Sequence, residues 1–185
     1  MELYRLEPAQ CALLVVDIQE NLMRVIDNAE EVTRNTVLLQ KSANVLNIPQ
    51  VATTQYVARI GPLLPAVTAE LGGLTPLDKL EFDCFGNAGI AAAVKGLPAA
   101  VNTLIVCGVE THICIYQTVL GALMAGFRVW VPADAVSSRK PGNKEIGLAR
   151  LREMGAVVAS TEMIIYEWLR KAGSPEFKAL LPVLK

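Results

Sequence analysis

The sequence predicts a three-layer α/β/α fold around a doubly wound, mainly parallel sheet of Rossmann-like topology, and three observations carry that expectation. Short apolar runs alternate with helix-period segments along the whole chain, which implies parallel strands joined by right-handed crossovers. The strongest runs, Cys11–Asp17 (CALLVVD) and Thr103–Val109 (TLIVCGV), are apolar almost throughout rather than on alternate residues. That is the pattern of strands covered on both faces. Apolar residues make up 52% of the chain and aromatics only 5%, so the core is built from Ala, Val, Leu and Ile.

The elements follow in order. Cys11–Asp17 is the first strand, and Glu30 to about Leu46 is a helix with Val32, Val37, Leu39, Ala43 and Leu46 near a helical period. Pro49–Thr54 is the second strand. Arg59 to Pro76 is rich in Gly and Pro and is expected to be an irregular excursion with one short helix. Ala88–Lys95 is a small-residue helix stopped by Gly96 and Pro98, and Thr103–Val109 is the most apolar strand. A helix from about Ile113 to Ala125 ends at Gly126, a good C′ residue. Phe127–Val131 is a strand, Asn143–Met154 a helix, Ala156–Ala159 the last strand, and an amphipathic stretch Glu162–Lys171 leads to a short tail helix. No repeat, linker or composition break divides the chain, so one domain is expected over residues 1–185.

Charge and composition exclude several classes. Lys and Arg number 17 against 18 Asp and Glu, a net charge of −1, with no basic stripe for nucleic acid. The apolar run Cys11–Val16 is too short for the core of a signal peptide, and no stretch approaches the ~18 apolar residues of a membrane span. A cytoplasmic protein with neither membrane nor nucleic-acid partner is expected. The four cysteines, Cys11, Cys84, Cys107 and Cys114, match no CxxC zinc spacing, and one histidine leaves little to build a metal site from. No metal and no other cofactor is expected. A mean hydropathy of +0.38 suits an apolar interface in a homo-oligomer.

In a doubly wound sheet, sites lie beyond the carboxyl ends of the strands. Asp17 ends the first strand. Cys114 follows TLIVCGV across the turn Glu110–His112, in the first turn of a helix, and Lys79 precedes Phe82 and Phe85 in DKLEFDCF. Unpaired N–H groups and the helix dipole favour an anion at such a position. The Cys114 thiol is therefore expected below its ordinary ~8.5, with Lys79 as the nearby cation. Asp17 is placed to take a proton and return it to a leaving group, and backbone N–H groups of the turn to hold an oxyanion. Taken singly, each residue has a plainer account: a turn Asp, a solvated Lys, a packed Cys. Spacing alone does not bring the three together.

Four segments, VVDIQEN (Val15–Asn21), KLEFDCFGN (Lys79–Asn87), CGVETHICIYQT (Cys107–Thr118) and VPADAVSSR (Val131–Arg139), together resemble the isochorismatase-like cysteine hydrolase superfamily. The resemblance spans nearly the whole chain, with the motifs in the family's order. It implies a triad of Cys114 as nucleophile with Asp17 and Lys79. It also implies a cis peptide at Val109–Glu110 and an oxyanion hole from the backbone N–H groups of Glu110 and Cys114. Family members commonly form dimers or larger rings, so a homo-oligomer is implied as well.

The departures are informative. Nicotinamidases of the superfamily hold a metal through an Asp-x-His pair and a further His, whereas TTQYVARIGP (Thr53–Pro62) contains neither residue type. The chain is instead similar to the isochorismatase domain-containing subgroup, and no metal is implied. His112, two residues before Cys114, leaves little freedom for a Cys–His dyad. The implied function is hydrolysis of a small amide, ester or related compound, with Gln19, Gln55, Tyr56, Phe82 and Phe85 as candidate pocket residues. Two alternatives stay open: a vinyl-ether hydrolase of the isochorismate type, and a catalytically idle oligomeric scaffold with the same fold. A dinucleotide binder is rejected, because DIQENLMR after the first strand lacks the glycines that admit a pyrophosphate.

Overall fold

The continuous apolar runs become the middle of a parallel sheet. The computed structural model describes residues 4–184. Its elements are β1 (Cys11–Val16), α1 (Glu20–Met23), α2 (Ala29–Val45), β2 (Gln50–Gln55), α3 (Val57–Ile60), α4 (Pro65–Ala69), β3 (Leu77–Lys79), α5 (Ala88–Lys95) and β4 (Thr103–Val109). They continue through α6 (Tyr116–Met124), β5 (Arg128–Pro132), β6 (Val136–Ser137), α7 (Pro141–Glu153), β7 (Val157–Ala159), α8 (Thr161–Leu169) and α9 (Pro175–Leu180).

The strand order is β3-β2-β1-β4-β5-β7, with β6 paired beside the end of β4. Every pairing between these strands is parallel, and β1 meets β4 in register from Cys11↔Thr103 to Val16↔Gly108. The chain winds outward from β1 in one direction and from β4 in the other, so their boundary is the switch point where doubly wound folds open a crevice.

Alternate residues of β1 serve the two faces. Leu13 and Val15 pack with Val32, Leu39 and Ala43 of α2 and Ile164, Ile165 and Trp168 of α8. Ala12, Leu14 and Val16 pack with Ile90 of α5, Val119 and Ala122 of α6, and Leu148 and Leu151 of α7. Every residue of β1 and β4 is buried, and each fully buried aliphatic side chain contributes roughly 1.5–3 kcal/mol. Gly108 is required where the two strands meet. Its φ is +124°, and a Cβ there would lie 1.9 Å from the Val16 carbonyl oxygen.

The structure differs from expectation at the short elements. Lys79 ends a three-residue strand, β3, that pairs with β2 through Thr53↔Leu77 and Gln55↔Lys79, and β6 is a second short strand not foreseen. The excursion over 59–76 follows α3 and carries α4, and the helix expected from Ile113 instead opens as a π turn at Thr111–Ile115 before α6. Among the described residues no helix is long and apolar enough to cross a membrane.

Candidate functional site

The carboxyl ends of β1, β3 and β4 deliver three reactive side chains to one buried point. Asp17 leaves β1 with φ +55°, a left-handed conformation that short polar side chains tolerate better than most. Its N–H still donates to Thr53 O at 3.2 Å, which holds the residue at the sheet. Lys79, the last residue of β3, crosses above β2, and its Nζ donates to Asp17 Oδ2 at 2.6 Å and to Gln55 Oε1 at 2.8 Å. Thr53 Oγ1 donates to Asp17 Oδ1 at 2.8 Å. The Asp17 and Lys79 side chains are both 0% exposed. A pair removed from water this completely persists because each charge has the other and further hydrogen bonds.

Cys114 comes to the same point from the far side of the switch. After β4 the Val109–Glu110 peptide is cis. The Glu110 carbonyl then accepts the N–H groups of Ile113 and Ile115 at 3.0 and 3.2 Å but not that of Cys114 between them. The π turn thus leaves the Cys114 N–H unclaimed by Glu110 O at the start of α6, and such turns are frequent at functional positions. The Glu110 side chain is anchored from the next loop. Arg139 donates to it from its backbone N–H at 2.8 Å and from Nε at 3.0 and 3.1 Å.

The electrostatics reverse one expectation. Burial pushes the Cys114 thiol up to about 12, and the negative charge of the Asp17 carboxylate adds to the rise. Lys79 opposes this without overcoming it. The shift is therefore upward: the expected downward one supposed a solvated position, and Cys114 is only 7% exposed. Burial by itself would lower Lys79, but the Asp17 carboxylate, helped by the Cys114 and Cys84 thiols, raises it above the usual lysine range. The ammonium stays charged.

The remaining candidates separate by position. Gln55 touches the cluster directly: Oε1 accepts from Lys79, and Nε2 donates to Leu80 O at 2.8 Å. Gln19 braces the cluster from behind. Its Nε2 donates to Gln55 O and Gly61 O, and its Oε1 accepts from Gln55 N at 2.7 Å. Tyr56 and Phe82 are exposed at 43% and 51%, while Phe85 packs on Phe127 with ring centroids 6.1 Å apart.

Both ring nitrogens of His112 are engaged away from Cys114. Asn143 Nδ2 donates to Nε2 at 3.2 Å, which assigns the ring proton to Nδ1 and makes it the donor to Ser138 Oγ at 2.9 Å. Among the described residues no group of three or more His, Cys, Asp or Glu side chains is placed to hold a metal ion.

Sequence reasoning missed Thr53, Cys84 and Arg139. Cys84 is wholly buried beside Lys79 and Asp17, and its N–H donates to Thr118 Oγ1 at 3.1 Å. Thr53 carried a usable signal as the residue of β2 level with Val16; the partners of Cys84 and Arg139 are set by loops.

A parallel sheet with an acid, an amine and a thiol gathered at its switch point defines an isochorismatase-like hydrolase fold. The chain belongs to the isochorismatase family, whose domain model matches residues 11–163. It is 33% identical over 184 residues to the secreted isochorismatase effector Isc1 of Phytophthora sojae, covering 98% of this chain and 87% of that protein. The MAR1 ribonuclease structure from Caenorhabditis elegans superposes with a TM-score of 0.90 at 28% identity, over 98% of this chain and 92% of that one. YcaC from Pseudomonas aeruginosa, solved with hexane-2,5-diol and covalent acrylamide, superposes with a TM-score of 0.90 at 26% identity, over 99% and 93%.

Proposed function

We propose that this protein is a metal-independent cysteine hydrolase of a small amide, ester or related compound, formed by one isochorismatase-like domain. The observation that carries the proposal is the fully buried Lys79–Asp17 pair at 2.6 Å, with the nearly buried Cys114 thiol acted on by both of its charges. Nothing in packing alone calls for a fully buried ion pair with a thiol set against it.

The proton inventory gives the mechanism. Cys114 Sγ attacks the substrate carbonyl carbon as Asp17 takes the thiol proton, so charge on sulfur develops only in the transition state. Lys79 offsets the negative charge that moves between sulfur, carboxylate and oxygen. The carbonyl oxygen is held by the N–H groups of Glu110 and Cys114, an arrangement supported by the π turn that leaves the Cys114 N–H unclaimed by Glu110 O. Collapse expels the amine or alcohol, which leaves with the proton from Asp17. Water, deprotonated by Asp17, then hydrolyses the thioester and the thiol is restored.

With Cys114 only 7% exposed, a small substrate is favoured. The net charge of −1, without a basic stripe in the sequence, argues against RNA as the natural substrate. Exposed Tyr56, Val57, Leu80 and Phe82 at the β2–β3 edge support self-association, and four unpaired, buried thiols support a reducing, cytoplasmic setting. In addition, the absence of His and Asp from 53–62 supports turnover without a metal.

The test is a panel of small amides, esters and vinyl ethers, with an RNA oligomer as control, assayed with wild type and Cys114→Ala after chelation. Turnover of an amide or ester, with an acyl adduct on Cys114 and loss of both in the variant, is the expected result. Turnover that survives Cys114→Ala, or cleavage of RNA alone, would overturn it.

A further inference from the structure

The turn that carries Cys114 is fastened from outside itself. β6 lies beside the end of β4, with Gly108↔Val136 and Val109↔Ser137 level, and the chain after it runs into α7 alongside that turn. Glu110, only 8% exposed, is held through both carboxylate oxygens. Its Oε1 accepts Arg139 Nε at 3.0 Å, and its Oε2 accepts Nε at 3.1 Å and the Arg139 backbone N–H at 2.8 Å. His112 is held through both ring nitrogens, by Ser138 Oγ at 2.9 Å and by Asn143 Nδ2 at 3.2 Å. Between the two, Thr111 packs on α7 where Gly147 leaves room for it. A Cβ on Gly147 would lie 3.0 Å from Thr111 Cγ2 and 3.3 Å from His112 N and Cα. Three successive residues of the turn are thus fixed to the segment 138–147.

We propose that the chain between β6 and α7 is a positioning clamp for the oxyanion-holding N–H groups of Glu110 and Cys114. Arg139 acts in it through Glu110, and Ser138 and Asn143 act through His112. The inference rests on the hydrolase reading above and names what fixes the donors in it. Inside the turn the Glu110 carbonyl takes the N–H groups of Ile113 and Ile115 and leaves that of Cys114. A donor that this carbonyl does not hold points where its peptide is carried, so its aim depends on what fixes the turn. Arg139 is a positioning residue: its side chain is 58% exposed, and its side-chain hydrogen bonds among the described residues go to Glu110 alone. Donors are effective only close to where the oxyanion forms, and a misplacement of ~1 Å costs up to about 10²-fold in rate.

Two reagents of similar size separate the donors from the sulfur. Attack of Cys114 Sγ on S-methyl thioacetate forms an S–C bond and places negative charge on the carbonyl oxygen before methanethiolate leaves. Attack on methyl methanethiosulfonate forms an S–S bond and expels methanesulfinate, with no charge on a carbonyl oxygen. Both reactions are followed in the full-length protein, the first as thioester consumed and the second by peptide mapping of Cys114. Wild type is compared with Arg139→Met and with the double variant Ser138→Ala/Asn143→Ala. Cys114→Ala supplies the background, and circular dichroism checks the fold.

In both clamp variants acetyl transfer should fall by about 10–100-fold, while the methanethiosulfonate reaction of Cys114 keeps its wild-type rate. A fall of both reactions together in either variant, or acetyl transfer unchanged in either, would overturn the clamp. The wild type separates the two readings. Without Cys114-dependent acetyl transfer there, the hydrolase reading fails and the clamp with it; with that transfer present and unmoved by the variants, the clamp alone fails.

Discussion

Replacing Lys79 by Met keeps the length of the stem but leaves the Asp17 carboxylate as a buried charge without its cation. Removing one partner of a buried pair costs about 3–5 kcal/mol. Asp17 retains the Thr53 hydroxyl at 2.8 Å, so the lower part of that range applies, about 3–4 kcal/mol. For a chain of 185 residues, roughly 2–4 °C is lost per kcal/mol, and the melting midpoint should fall by about 6–16 °C. Asp17→Asn should cost a similar amount by stranding the ammonium. The double variant should recover at least ~1.5 kcal/mol of the summed losses, because contacting sites couple by ~0.5–3 kcal/mol.

The pH dependence has a definite sign. Lys79 is raised in the folded state, so the stability it confers is fully present below the unfolded lysine value of ~10.4 and disappears as pH rises through the folded value. The gap between wild type and Lys79→Met should therefore be constant from neutral pH to about pH 10 and close above it. Urea denaturation at fixed protein concentration measures both quantities. A Lys79→Met variant within about 1 kcal/mol of wild type at pH 7, or an additive double variant, would refute the buried-pair reasoning.

Two further outcomes follow from the same geometry. Gly108→Ala places a Cβ 1.9 Å from Val16 O at φ +124°, combining ~1–3 kcal/mol of backbone strain with ~1–3 kcal/mol of overpacking. Denaturant titration should show several kcal/mol lost, and a variant of near wild-type stability would contradict the close β1–β4 approach. Burial holds Cys107 up at about 12, whereas an unfolded thiol ionises near ~8.5. Its contribution is thus complete below that value and declines as pH rises, by ~1.4 kcal/mol per pH unit. Cys107→Ala should make the alkaline loss of stability shallower by that amount between about pH 9 and pH 11, and an unchanged slope would count against the buried thiol.

The parts legible in the sequence are those whose signal is local. β1 and β4 announce themselves as continuous apolar runs because both of their faces are covered, and Asp17 is conspicuous as the charge that ends one of them. Boundaries of α2, α5 and α7 fall within a residue or two of their caps and glycines. β3 was illegible: three residues, Leu77–Lys79, with half-buried Leu77, exposed Asp78 and buried Lys79, give no period to detect. A buried lysine is equally hidden, since its burial depends on Asp17 and Gln55, which lie 62 and 24 residues away. The π turn is indistinguishable from ordinary helix in the sequence, because its feature is one carbonyl skipping one N–H, which leaves no mark on residue type. The direction of the Cys114 shift is hidden for a related reason. Helix position is visible in sequence, but the depth of burial that outweighs it is not.

The measurement that most directly tests the central claim is the rate of acrylamide addition at Cys114, resolved by peptide mapping, in wild type and in Asp17→Asn. It is run below the variant's melting midpoint with circular dichroism as the fold control. With Asp17 taking the thiol proton as sulfur attacks, labelling of Cys114 should exceed that of the other three cysteines and fall by about 10²–10⁴-fold in Asp17→Asn. Equal rates in the folded variant and wild type, with Cys114 reached in both, would contradict Asp17 as the proton acceptor and Cys114 as an activated nucleophile.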